Sequence, residues 1–270
     1  MEGDMAERKG TRTVLLVLNT VGLIGTLVVN ALANILPLNG RNTGEISDSI
    51  PNLFVPSGST FAVWGVIYVL LVVALVYQMM HLKKFGQPDP IESLGLWFFI
   101  SCLANGAWIF TWHWQLLELS LLVMLILLVT LIVMHTKVRR FDTPLGFRVG
   151  IMLPISVYLG WITVATIANV TALAVVSDWG RFGLSEVFWT VSVMVVAILI
   201  NLLAIIIRGD IWFAFVGAWA LYGIYSKRSA EQVEPVPMVI WTALVGVILI
   251  LLVILIHLVV KGKRVARGEG

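Results

Sequence analysis

The sequence predicts an all-α polytopic membrane protein with about eight transmembrane helices, and three observations carry that reading. Apolar residues make up 59% of the chain and charged residues only 12%, whereas a soluble domain is typically ~25% charged. The apolar residues are gathered into continuous runs near the ~20 residues a helix needs to cross a bilayer. The runs do not alternate with polar residues as a strand's would, and lipid tolerates no open sheet edge.

In chain order the runs are approximately 13–36, 59–81, 95–113, 117–136, 147–174, 188–208, 211–226 and 238–260, the seventh being the shortest. Charge placement is an independent test of that count. With eight crossings, fourteen of the eighteen Lys and Arg residues fall on one side: Arg8, Lys9, Arg12, Lys83, Lys84, Lys137, Arg139, Arg140, Arg148, Arg208, Lys261, Lys263, Arg264 and Arg267. Arg41, Arg181, Lys227 and Arg228 fall on the other. The positive-inside rule then places both termini in the cytoplasm, in a plasma or inner membrane. The same placement makes the basic balance a topology signal, so the expected partner is the lipid bilayer and not nucleic acid.

The first run is long for a signal peptide, whose apolar region is usually ~7–15 residues, and it is read as retained. Its Asn19, Gly22, Thr26, Asn30 and Asn34 share one small and polar face, which suits packing inside a bundle more than ligand contact. The connector 37–58 reads as an ordered lid or re-entrant loop, because Ile50, Leu53, Phe54 and Val55 are apolar and flanked by Pro51 and Pro56.

The second run opens with Pro56 and a Ser/Thr cluster, which are helix-start signals. Trp64 and Tyr68 follow one turn apart, and Tyr68 lies deeper than an interfacial anchor would. In the third run Asn105, Trp108 and Trp112 share a face, and His113 is expected at the lipid–water boundary rather than as a haem ligand. His81, His135 and His257 lie near span ends and do not converge on a metal. In the fifth run Tyr158, Trp161, Ala165 and Asn169 fall within an arc of roughly 80°. Such a face either packs between helices or lines a ligand cavity. Arg208-Gly209-Asp210 reads as a tight turn between the sixth and seventh runs.

Three of these segments resemble the TspO/MBR family, the tryptophan-rich sensory and translocator proteins. They are Pro51-x4-Pro56-x7-Trp64-x3-Tyr68, Asn105-x2-Trp108 and Tyr158-x2-Trp161-x3-Ala165-Thr166-x2-Asn169, the last being the most specific. The sequence departs from the family pattern at Leu53 and Gly58, where tryptophan is usual, and at Val157, where proline is usual. The resemblance implies a five-helix bundle over residues 1–175, followed by an extension of three helices over 176–270. It further implies a cavity for a porphyrin, haem or sterol-like molecule lined by Trp64, Tyr68, Asn105, Trp108, Tyr158, Trp161, Ala165 and Asn169, often in a homodimer. No cofactor is required for that role.

Competing readings are a facilitator or permease for a small neutral solute, and a structural membrane subunit whose tryptophans only pack. No Asp, Glu, Lys or Arg falls in the middle of a predicted span, where ion-coupled transporters place them. Phosphate-binding loops and nucleophile motifs are missing as well, so no enzyme activity is expected.

Overall fold

A computed structural model of the chain describes residues 2–36, 38–139, 143–231 and 236–266, with side chains from 5 to 263. Arg140 and Arg267, and the side chain of Arg264, lie outside that range. The described residues contain helices and no strand. The helices are α1 (Glu2–Ile35), α2 (Thr43–Asp48), α3 (Val63–His81), α4 (Pro90–His113), α5 (Leu117–Val138), the single turn α6 (Leu145–Phe147), α7 (Leu153–Val176), α8 (Glu186–Arg208), α9 (Ile211–Ala230) and α10 (Pro237–Ala266). A π-helical stretch, Arg148–Met152, joins α6 to α7.

Among the described residues, seven helices are long and apolar enough to cross a membrane. The expected seventh run exists as the 20-residue helix α9 but is not one of them. Its Trp, Tyr and Gly residues and its terminal Lys227 and Arg228 dilute its hydropathy. On α1, by contrast, Val14, Val17, Val21, Ile24 and Val28 are exposed apolar residues.

The chain packs as two compact units, Met1–Ile46 with Val63–Ile162, and Ser47–Ala62 with Thr163–Gly270. In the first, α1 packs on α3 and α4, and α4 on α5. Gly22 permits the approach, since a Cβ there would lie 2.7 Å from the Phe99 ring. Polar side chains then fasten the helices: Asn19 Nδ2 donates to Gln78 Oε1 at 2.9 Å, and Thr26 Oγ1 to the Cys102 carbonyl at 3.1 Å. Arg12, counted above among the boundary cations, is fully buried. Its Nε lies 3.1 Å from Asp89, its Nη2 donates to the His81 and Lys84 carbonyls, and its guanidinium sits over Phe85. Asp89 in turn caps the N-terminus of α4.

In the second unit α8, α9 and α10 pack on one another. Gly209 (φ 61°) ends α8 and Asp210 caps α9, which is the tight turn expected of Arg208-Gly209-Asp210. Gly217 lies directly under the Asn201 amide, and Gly246 against Ile198 and Leu221.

Helix α9 holds the segment that precedes α3. Trp219 Nε1 donates to the Thr60 carbonyl (3.0 Å), Ser57 N to the Gly223 carbonyl (3.1 Å), and Lys227 pairs with Asp48. Arg228, 7% exposed, reaches the carbonyls of Asn52 and Val55. Gly223 allows no Cβ there because Thr60 and Pro56 fill the space. The connector is thus ordered, with Ile50, Phe54 and Val55 buried. At its other end, Gly209 ahead of α9 faces the His257 imidazole of α10.

Candidate functional site: an aromatic and amide block

Six of the eight residues singled out in the sequence meet in the first unit. Trp64 is the hub. Its ring centroid lies 5.6 Å from Tyr68 and 6.0 Å from Trp108, both stacked, and 6.1 Å from Tyr158 and 6.2 Å from Trp161, both edge-on. Trp108 stacks in turn on Trp112 at 5.7 Å. The distances are those at which aromatic pairs attract beyond simple burial. Helical spacing accounts for the assembly, since Trp64 and Tyr68, Trp108 and Trp112, and Tyr158 and Trp161 are each one turn apart on α3, α4 and α7.

Beside the rings runs a chain of amides. Asn30 Nδ2 donates to Asn105 Oδ1 (2.7 Å), and Asn105 Nδ2 donates to the Tyr158 hydroxyl (2.8 Å). Asn30 also donates to the Thr26 carbonyl one turn back. Asn105, Tyr158, Trp161 and Trp108 are all buried, while Trp64 and Tyr68 are half-buried. The Tyr68 hydroxyl itself is buried and faces Asn105 without a hydrogen bond of normal geometry. A buried hydroxyl in that state is uncommon, because leaving it unsatisfied costs about 1–3 kcal/mol.

Ala165 and Asn169 lie further along α7, in the second unit. Asn169 is buried and its Nδ2 donates to the Ala165 carbonyl at 2.9 Å. The shared face of the fifth run therefore continues along the helix, while its residues divide between the units.

Asn30 is the member whose face the sequence suited to packing more than to ligand contact; its polar face on α1 was visible, but its partner on α4 was not. His113, the last residue of α4, is 1% exposed. Its Nδ1 meets the Leu38 carbonyl at 3.0 Å and its Nε2 the Thr43 hydroxyl at 3.1 Å. A carbonyl can only accept, so Nδ1 carries a proton, and both ring nitrogens are engaged in holding residues 38–43 against α4.

Indole and phenol faces are the groups that stack planar apolar molecules, and amides and hydroxyls are those that orient them. Residues 16–256 match the family model described as TSPO-like protein. That stretch includes the whole block as well as α8, α9 and most of α10. Comparisons with curated proteins and with solved structures returned no match.

Proposed function

The chain belongs to the family of TSPO-like proteins, and from that membership we propose that it binds, senses or carries a flat hydrophobic ligand, a porphyrin in the first instance, at the Trp64 block. The observation that carries the reading is the Tyr68 hydroxyl, buried beside the Asn30–Asn105–Tyr158 amide chain without a partner of normal geometry. It supplies a polar handle at the margin of a stack of rings, the combination that small-molecule sites use to orient apolar ligands. One observation favours a second reading, in which the tryptophans only pack: the rings stack on one another, and each already has partners.

Tyr68→Phe separates the two, because it keeps the ring on Trp64 and removes only the hydroxyl. Protoporphyrin titrated into the purified protein should quench tryptophan emission saturably, and Tyr68→Phe should weaken that binding by about 0.5–1.5 kcal/mol. Under the packing reading the same variant has unchanged or higher thermal stability and there is no saturable quenching to lose. Saturable quenching that Tyr68→Phe leaves intact would remove Tyr68 from the site.

We also propose a plasma or inner membrane location with eight crossings and both termini in the cytoplasm. The fourteen-to-four division of Lys and Arg supports it. So does the course of α9, whose first residues follow the Gly209–His257 contact and whose last turn meets the connector ahead of α3. A 20-residue helix is about 30 Å long, enough to cross. With Cys102 replaced by Ser, an impermeant maleimide should label a single cysteine at Ser229 from outside intact cells and fail to label one at Thr136. Protection of Ser229 would leave α9 on one side of the membrane.

A further inference from the structure

The second unit contains a cavity of about 200 Å³ between the last turns of α7, the first turns of α8 and the connector residue Asn52. Val170, Val175 and Val193 line it, together with Trp179 and Trp189, whose ring centroids are 4.8 Å apart. Trp189 is fixed in place, since its Nε1 donates to the Arg181 carbonyl at 3.0 Å.

The polar groups around the cavity are mostly engaged with one another. Asn52 Nδ2 donates to Thr171 Oγ1 (2.7 Å), its Oδ1 accepts from Phe54 N (3.0 Å), and Thr171 donates back to its own helix. Glu186 accepts from Leu53 N at 3.4 Å. The guanidinium of Arg181 is different. Its contact with Glu186, at 3.8 Å, is longer than a hydrogen bond, and the two side chains are 43% and 35% exposed. An exposed pair of that length is weak, so most of the five donors of Arg181 are available at the mouth.

We infer that this cavity is a second binding site, for one acyl chain of an amphiphile with an anionic head: hydrocarbon lies along the valines and indoles, and the head accepts hydrogen bonds from Arg181. The size decides against the larger class of ligand. At about 200 Å³ the cavity is below the ~300 Å³ at which sites for drug-sized molecules begin, so it takes part of an acyl chain and not a tetrapyrrole. The placement agrees with the chemistry. Trp179 and Arg181 follow directly on Val176, the end of α7, and helix ends are where tryptophan and arginine meet lipid head groups. Such a head comes either from a free fatty acid or from an anionic phospholipid.

The test uses the full chain and bromine-labelled probes, which quench indole on contact. Mid-chain dibrominated stearate, added to the protein in detergent, should quench saturably, and replacing both Trp179 and Trp189 by Phe should remove most of that quenching. Arg181→Gln should weaken stearate about tenfold, the loss of a charge-assisted hydrogen bond, and leave the matching dibrominated alcohol unchanged. Ala174→Phe should fill the cavity and abolish both, with thermal unfolding as the check that the fold persists. In nanodiscs, quenching by brominated phosphatidylglycerol that is sensitive to Arg181→Gln would identify the phospholipid as the occupant. Its absence beside a positive stearate result would identify the free acid. Equal affinity for stearate and alcohol, no effect of Arg181→Gln, or undiminished quenching without Trp179 and Trp189 would each overturn the site. Tyr68→Phe leaves the stearate result untouched, so failure of this site and failure of the porphyrin site are separately visible.

Discussion

Around Trp64, four rings lie within 6.2 Å and the deeper ones are buried, whereas the indoles of Trp179 and Trp189 are partly exposed and border a cavity. Both regions are rich in tryptophan, yet their rings do different work. In the first unit the rings meet one another and hold three helices together. In the second, Trp179 and Trp189 also meet, at 4.8 Å, and a backbone hydrogen bond ties Trp189 to Arg181, but the pair borders open space beside aliphatic side chains. Tryptophan content by itself therefore does not mark a binding site; what the rings leave vacant, and which polar groups stay unsatisfied beside them, does.

The largest effect that would sharpen this contrast is on stability. Trp64→Ala should cost about 2–4 kcal/mol, somewhat less than a fully buried aromatic because Trp64 is half-buried, read from the midpoint of denaturation in mixed micelles. A loss below 1 kcal/mol would mean that the Trp64 rings do not support the fold. Next is Asn105→Leu, which removes one hydrogen bond each from Asn30 and Tyr158 and should cost about 1–3 kcal/mol. It should also shift ligand selectivity, because an orienting amide is lost and the stacking surface is kept.

In the second unit, Trp189→Phe keeps a ring and removes the hydrogen bond to Arg181, so about 1 kcal/mol is expected. A cost equal to that of Trp64→Ala would erase the difference between the regions. The smallest effect belongs to Trp241→Leu on α10. Trp241 is 63% exposed, and its loss should change stability by no more than about 0.5 kcal/mol and leave porphyrin binding unaltered.

Much of the block was legible because helical periodicity puts Trp64 with Tyr68, Trp108 with Asn105, and Tyr158 with Trp161. Periodicity identifies a face but not what the face meets. Asn30 is an instance: its side was readable on α1, its bond to Asn105 was not. Arg12 reads as an ordinary boundary cation until Asp89, far along the chain, is seen beside it. Helix α9 is the clearest case of a signal pointing away from its meaning. The Trp, Gly and cationic residues that lower its hydropathy are those that grip the connector: Trp219, Gly223, Lys227 and Arg228. Nothing local in 47–62 or in 211–230 reveals that the two belong together.

That grip also sets a timetable for synthesis. Arg228 and the Asn52 carbonyl it reaches are separated by 176 residues. At translation rates of ~5–20 residues per second, the segment leading into α3 waits on the order of ten to thirty seconds for its anchor to emerge. Throughout that interval α1 and α3 can already be in the bilayer while the Asn52 and Val55 carbonyls have no Arg228 to accept from. A nascent chain paused before residue 211 would therefore carry a connector that lacks its Arg228 anchor and that insertion factors or proteases can reach.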